Sequence, residues 1–177
     1  MAVSFEEIGL EAERRWQELT AGERPWIRIG TALCGEAAGA FEVADAVDSE
    51  LASQGVPAQV SRVGCLGLCF AEPLLDVQLP GGHRIFYGNV DPEGVAEIVS
   101  AHVAGGTPVT AKALGYLAQE GSDAPVPDGI PDLDQHPMRI WEDRIVLRNA
   151  GNIDPMDIKN EKMKKIVILV SWYDAKS

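Results

Sequence analysis

The chain has 177 residues, enough for one domain of roughly 100–150 residues with extensions. Its fractions of hydrophobic (46%) and charged (24%) residues match a soluble globular protein. A net charge of −12 argues against nucleic acid and anionic membrane surfaces as partners, because both would repel it. No apolar run approaches the roughly 20 residues of a membrane helix, and no signal peptide is recognisable, so we expect a cytoplasmic location.

The first half of the chain alternates helical and extended patterns. Residues 5–19 carry apolar side chains at helical spacing, and Ser4 with Glu7 forms a candidate capping box. Residues 26–30 alternate apolar and polar side chains, which predicts a strand. A second helix is predicted to begin after Cys34 and to run over residues 37–54.

Two hairpin strands and a capped helix follow. Residues 58–63 are predicted to form a strand that leads into a cysteine-containing loop. Residues 74–79 and 84–87 are predicted to pair across the turn Pro80-Gly-Gly-His83. Asp91 is a suitable N-cap for a helix that extends to about residue 103.

Beyond Gly105 the composition changes twice. Residues 106–139 are rich in Pro, Gly and Asp, which predicts a linker with one short helix over residues 112–119. One more short strand is predicted over residues 140–147. Residues 159–177 hold five Lys against two acidic residues, a net charge of +3, so the preceding residues carry −15.

The three cysteines are the candidate functional residues. Cys65 and Cys69 are separated only by Leu-Gly-Leu, and Cys34 lies about thirty residues upstream. Thiolates are soft ligands that select zinc or iron–sulfur centres. Gly64 and Gly67 allow the backbone to approach and to direct N–H groups at sulfur. In a reducing location such cysteines are expected to be free, redox-active or metal-bound rather than disulfide-paired.

The order βαβ–ββα, with a cysteine after the first strand and Cys-x3-Cys after the second, resembles the thioredoxin-like [2Fe-2S] ferredoxin domain. The similarity is greatest to the version at the amino terminus of the flavoprotein subunit of NADH dehydrogenase-type complexes. These complexes include NADH:quinone oxidoreductases, NAD-linked formate dehydrogenases and soluble hydrogenases. The resemblance covers about residues 26–158 and rests on residues 64–77, 87–92 and 144–155.

This resemblance implies an α/β, thioredoxin-like fold with a mixed four-stranded sheet flanked by helices. It also implies electron transfer through a [2Fe-2S] cluster held by Cys34, Cys65 and Cys69. The expected partners are flavoprotein, NADH dehydrogenase, hydrogenase or formate dehydrogenase subunits. The expected divisions are an amino-terminal helix (1–24), the ferredoxin domain (25–105), a linker (106–139), a junction resembling the start of a flavin-binding domain (140–158) and a divergent basic tail (159–177).

Two departures from the family pattern matter. The pattern places Cys-x4-Cys in the first loop, but here Ile29 occupies the first position and Cys34 the second, which leaves three of four thiolates. Residues that could supply a fourth ligand are Thr31, Glu36, Glu72 and His83. The glycine-rich FMN and NADH segment does not follow Ile158, so we expect a truncated flavoprotein subunit without NADH dehydrogenase activity of its own.

Two alternative interpretations remain open at the level of sequence. In one, the domain has lost its cofactor, Cys34 is a small buried apolar residue, and the Cys65–Cys69 loop is a docking surface within the complex. In the other, the three cysteines and His83 bind zinc. Arg144 and Arg148 are expected either to contact a flavin domain or to form exposed salt bridges.

Overall fold

A computed structural model describes residues 4–20, 22–145 and 149–154. The helices are α1 (Phe5–Thr20), α2 (Leu33–Ala38), α3 (Ala40–Gln54) and α4 (Pro92–Glu97), the last continued by π-helical turns over Ile98–Ala104. The strands are β1 (Trp26–Gly30), β2 (Gln59–Val63), β3 (Leu75–Gln78), β4 (Arg84–Tyr87) and β5 (Ala113–Leu117). The described part of the chain contains no helix that is long and apolar enough to cross a membrane.

The five strands form one mixed sheet in the order β2-β1-β3-β4-β5. Strand β1 is parallel to β2, and the remaining neighbours are antiparallel. The main core lies where α3 and α4 cover the sheet, and a smaller apolar cluster contains Leu66, Leu68, Ala71, Leu74, Phe86 and Leu133. The predicted α/β, thioredoxin-like fold class is confirmed, with five strands instead of four.

The helix predicted over residues 112–119 is wrong, because Ala113–Leu117 forms β5. Residues of β5 pair with the free edge of β4, and Tyr116 lies opposite Ile85. Gly115 is pressed against the side chain of Leu133, whose Cγ would lie 2.6 Å from an added Cβ. Local helix propensity is a weak preference that pairing to an open sheet edge overrides. The sheet therefore extends into the segment predicted as a linker.

The helix predicted from residue 37 begins earlier and is divided in two. Gly39 adopts a left-handed conformation (φ 97°) that ends α2 and starts α3. A residue with a side chain is disfavoured in that conformation, so the glycine places the break. As a result Cys34 lies in the first turn of α2 rather than in a loop before the helix.

The strand predicted over residues 140–147 is also wrong for its described part, 140–145. The amides of Arg139 and Glu142 donate to the carbonyls of His136 and Arg139, at 2.7 and 2.8 Å, which makes successive turns. These turn bonds use backbone groups that a strand would offer to a neighbouring strand. Residues 146–147, Arg148 and the predicted basic tail lie outside the described residues.

The polar positions of β1 and β3 are buried instead of facing solvent. Arg28 and Asp76 are both 3% exposed and form an ion pair of 2.7 Å. Arg84 also pairs with Asp76, at 2.7 Å. Desolvation lowers the pKa of Arg28 to about 10, although the nearby Asp76 opposes this change. This ion network stabilises one register of the three strands, because breaking it would leave a buried charge unpaired.

Candidate functional site

The predicted cysteine segments follow two neighbouring parallel strands. Helix α2 follows β1, the cysteine loop (residues 64–69) follows β2, and Gly30 pairs with Val63 at the ends of these strands. The amide of Thr31 also donates to the carbonyl of Val63 at 3.0 Å. The carboxyl ends of parallel strands share one edge of a sheet, where ligand sites of α/β proteins are common. The fold therefore directs both segments to the same edge.

Cys65 and Cys69 form a close pair, with their sulfur atoms 3.7 Å apart. Two sulfurs bound at about 2.3 Å to one tetrahedral metal are separated by about 3.8 Å, whereas a disulfide measures about 2.05 Å. The amide of Gly67 donates to the Cys65 sulfur at 3.2 Å, and its φ of 91° favours glycine. This half of the site has the sulfur–sulfur distance and the N–H to sulfur hydrogen bond expected of two thiolates that bind one metal ion.

Burial raises the pKa of the Cys65 thiol, and the amide of Gly67 opposes this rise. The thiol of Cys69 and the carboxyl group of Glu72 contribute to the increase. A raised pKa keeps the thiol protonated in the absence of a metal. Metal binding would release this proton, since the thiolate is the ligand.

Glu72 is a buried carboxyl group beside the cysteine loop. It is 7% exposed, burial raises its pKa, and its interaction with Cys65 opposes this rise. One oxygen accepts from the amide of Leu74 at 2.8 Å, while Oε1 has no hydrogen-bond partner in the structure. Added Cβ atoms on Gly30 and Gly35 would each lie 3.2 Å from Glu72 Oε2. Glu72 is one of the four residues that the sequence offers as a fourth ligand, and it interacts with Cys65 of the cysteine loop.

Cys34 is exposed on α2, which contradicts the interpretation of this residue as a buried apolar side chain. Its neighbour Gly35 is buried, and an added Cβ would lie 2.1 Å from the carbonyl oxygen of Gly30. Only glycine permits this approach of α2 to the end of β1. The close approach turns Cys34 outward at the same edge of the sheet as the loop.

The full ligand set is not assembled in the structure. Within residues 4–20, 22–145 and 149–154, no three His, Cys, Asp or Glu side chains converge as a metal-holding group. Ile29, at the family's first cysteine position, is completely buried in the main core. The residues present thus fit two of the four positions of an iron–sulfur cluster, and the role of Cys34 stays a prediction.

His83 does not belong to this site. Its two ring nitrogens contact the carbonyl of Ala124 at 3.1 Å and the amide of Gln119 at 3.2 Å. It precedes Arg84, which pairs with Gln78, at the end of the sheet opposite the cysteine loop. The zinc site predicted from the three cysteines and His83 is therefore wrong.

The contact of Arg144 with the cysteine loop was not predicted from the sequence. Its Nη2 donates to the carbonyl of Leu66, between the two loop cysteines, and its Nε lies 2.6 Å from a carboxyl oxygen of Glu142. The Arg144 side chain is 17% exposed and that of Glu142 30%, so the expected exposed salt bridge is a half-buried one. The contact joins residues 78 positions apart, and no local pattern in the sequence indicates it.

The rim of the site is apolar. Leu33 is 81% exposed next to Cys34, and Phe70 is 56% exposed next to Cys69. Phe70 also stacks on the His136 ring, with centroids 5.7 Å apart. Exposed large apolar side chains beside a functional group are typical of surfaces that meet a partner.

Comparisons with known proteins relate the chain to redox proteins. It is 32% identical over 84 residues to "NADP-reducing hydrogenase subunit HndB" of Solidesulfovibrio fructosivorans, covering 47% of this chain and 67% of that protein. It is 42% identical over 50 residues to "Ferredoxin, 2Fe-2S" of Aquifex aeolicus (strain VF5), covering 28% and 42%. No family model matches the chain.

Solved structures of a thioredoxin-like [2Fe-2S] ferredoxin from Aquifex aeolicus also align with the chain. One crystal structure, at 1.5 Å resolution, has a TM-score of 0.46 and 25% identity, covering 53% of this chain and 99% of the ferredoxin. Another has a TM-score of 0.47 and 25% identity, covering 56% and 98%.

Proposed function

The chain belongs to the thioredoxin-like [2Fe-2S] ferredoxin family, and we propose that it is an electron-transfer domain that holds a [2Fe-2S] cluster through Cys34, Cys65 and Cys69. The single observation that carries this proposal is the Cys65–Cys69 pair, whose sulfurs lie 3.7 Å apart. Iron–sulfur clusters are held chiefly by cysteine thiolates, and this spacing suits two thiolates on one iron. The cluster, when bound, supplies one-electron redox chemistry.

The side chains around the pair have distinct roles in this proposal. Gly67 donates its N–H to the Cys65 sulfur, which stabilises the thiolate. Gly35 brings α2 against β1 and so presents Cys34 at the same edge of the sheet. Glu72 has an unpartnered buried oxygen beside Cys65 and is our candidate for the remaining ligand. A carboxylate is a harder ligand than a thiolate, so we expect a more labile cluster than an all-cysteine site would hold.

We further propose that the domain serves a cytoplasmic multi-subunit hydrogenase or dehydrogenase, passing electrons to or from a flavoprotein. The hydrogenase-subunit name of one relative supports this assignment. The apolar side chains of Leu33 and Phe70 flank two of the cysteines and would meet the partner there. Electron transfer is faster over short distances. A partner that docks beside the cluster would keep the distance between the two redox centres short.

The test is anaerobic reconstitution with iron and sulfide, followed by iron and sulfide assays and visible spectroscopy. We expect about two irons per chain and absorption bands that bleach with dithionite. Cys65→Ser and Cys69→Ser should abolish both signals, and Cys34→Ser should reduce the iron content. His83→Gln is the matched control, since His83 lies at the other end of the sheet, and it should retain wild-type iron.

A second candidate function is a docking module that binds its partner without a cofactor. The observation that favours it is the incomplete ligand set in the described residues, together with the exposed Leu33 and Phe70. A folded protein that takes up no iron after reconstitution, yet co-purifies with a hydrogenase or dehydrogenase subunit, would support this function. Phe70→Ser should then weaken the association, whereas Val126→Ser, at another exposed apolar residue, should not.

A further inference from the structure

A strap made of residues 142–145 and 149–153 lies against the cysteine loop. Arg144 donates through Nη2 to the carbonyl of Leu66, and the same nitrogen would lie 3.4 Å from a Cβ added to Gly67. Leu66 and Gly67 both lie between Cys65 and Cys69 in sequence. The guanidinium group therefore contacts the three-residue bridge that sets the separation of the two sulfurs.

The strap is fixed at two further points on the loop. The carbonyl of Ile153 accepts from the amide of Gly64 at 3.1 Å, one residue before Cys65. Gly151 (φ 72°) packs on Leu66, and an added Cβ would lie 2.6 Å from Leu66 Cδ1. The strap thus holds the loop at Gly64 and Leu66, on the Cys65 side of the bridge, where β2 leads into it.

The sheet anchors the strap in turn. Arg84 of β4 donates to the carbonyl of Gly151 at 2.9 Å and to Asn152 Oδ1 at 2.6 Å. Arg84 is itself paired with the buried Asp76. Gly151 and Asn152 are thus tied to the sheet beside the cysteine loop, and Arg144 contacts the loop directly through Leu66.

Arg144 also brings positive charge to the loop. An arginine side chain stays protonated at all physiological pH values, and this one is 17% exposed, so solvent screens it only partly. Glu142 pairs with its Nε at 2.6 Å, which reduces the net field without displacing the Nη2 contact. A cation beside sulfur ligands favours states with more negative charge, namely thiolate over thiol and a reduced centre over an oxidised one.

We propose that Arg144 is a positioning residue for the cysteine loop: it holds the Leu66 carbonyl, keeps Cys65 and Cys69 at ligand spacing, and raises the reduction potential of a centre bound there. The part that concerns the potential rests on the proposed function. The part that concerns loop geometry applies to the protein with or without iron.

The variants Arg144→Gln and Arg144→Lys separate charge from geometry. Gln removes the charge, and Lys keeps the charge but not the planar group that reaches the carbonyl. Arg24→Gln is the matched control, because Arg24 is exposed next to the start of β1, at the opposite end of the sheet. Circular dichroism spectra should show that all variants are folded.

In the iron-loaded protein we expect Arg144→Gln to shift the one-electron reduction equilibrium about tenfold toward the oxidised state, a fall in potential of about 59 mV. Iron release to a chelator should be several-fold faster in Arg144→Gln and in Arg144→Lys, while Arg24→Gln should match wild type in both measurements. A potential and a release rate in Arg144→Gln equal to those of wild type would overturn the proposal.

In the iron-free protein the readout is the rate of alkylation of Cys65 and Cys69 by iodoacetamide. Loss of the Leu66 contact should accelerate alkylation several-fold in Arg144→Lys, which keeps the positive charge that favours the reactive thiolate, and leave Arg24→Gln unchanged. Equal rates in the two variants would refute the positioning role. If wild type binds no iron, the proposed function fails, and this alkylation experiment still decides the role of Arg144.

Discussion

At the scale of single residues, burial determines the chemistry of the polar groups in this fold. Asp76 compensates two buried arginines, Arg28 and Arg84, so the network carries one positive charge in excess. Arg28 stacks over the Trp26 ring at 3.5 Å, which provides partial compensation on an aromatic face. The polar side chains of β1, β3 and β4 in this network are therefore buried, although polar residues of an alternating strand are usually exposed to solvent.

His102 gives a prediction at the same scale. It is 2% exposed, its Nδ1 lies 2.9 Å from the Tyr87 hydroxyl oxygen, and desolvation lowers its pKa from 6.5 to about 4. The unfolded chain therefore takes up a proton at His102 before the folded chain does as the pH falls. His102 leaves the free energy of unfolding unchanged above pH 6.5 and lowers it between pH 6.5 and about 4. In this window the free energy of unfolding should fall by up to about 1.4 kcal/mol per pH unit.

The measurement is urea unfolding of wild type and His102→Gln between pH 7 and pH 4. The glutamine cannot take up the proton, so the difference in unfolding free energy between the two proteins should shrink as the pH falls. Glu72, whose pKa is raised by burial, is present in both proteins and cancels in this difference. Parallel pH profiles would show that His102 does not contribute to acid sensitivity.

At the scale of elements, the placement of Cys34 depends on the contact between α2 and β1. We predict that Gly35→Ala costs about 1–3 kcal/mol of stability, because its Cβ would lie 2.1 Å from the carbonyl oxygen of Gly30 and the helix must shift. Gly64→Ala is the matched control, since an added Cβ there meets nothing within 4 Å. Thermal unfolding measures the stability of both variants.

The same variants report on the position of Cys34. If α2 moves in Gly35→Ala, the alkylation rate of Cys34 should change, whereas Gly64→Ala should keep the wild-type rate. A Gly35→Ala protein as stable as Gly64→Ala would mean that α2 is not pressed onto the strand as the structure describes.

At the scale of the whole molecule, the sheet and the segment after residue 105 stabilise each other. We predict that a fragment of residues 1–105 is much less stable than one of residues 1–154, because it lacks β5 and the buried side chains of Tyr116, Ile130 and Leu133. Each such side chain contributes about 1.5–3 kcal/mol when buried. Thermal unfolding by circular dichroism would compare the fragments, and equal midpoints would support a domain that ends at residue 105.

Much of the first hundred residues could be predicted because local signals agree with the fold. Asp91 caps α4 by accepting from the amide of Gly94 at 2.8 Å, as the sequence indicates, and Ser4 and Glu7 form the expected capping box. The sequence predicts a helix over residues 112–119, where the structure has the strand Ala113–Leu117. Pairing with β4, whose partner residues lie 26 to 33 positions earlier in the chain, decides its structure.

The sequence by itself determined the family, the α/β class and the close pair of cysteines, because turn residues, caps and a three-residue spacing act over short distances. Only the tertiary structure decided that Arg28 and Asp76 are internal, that Glu72 lies beside Cys65, and that Arg144 contacts the cysteine loop. These are contacts between distant segments, and their energies depend on the burial and charge of groups that no local pattern brings together.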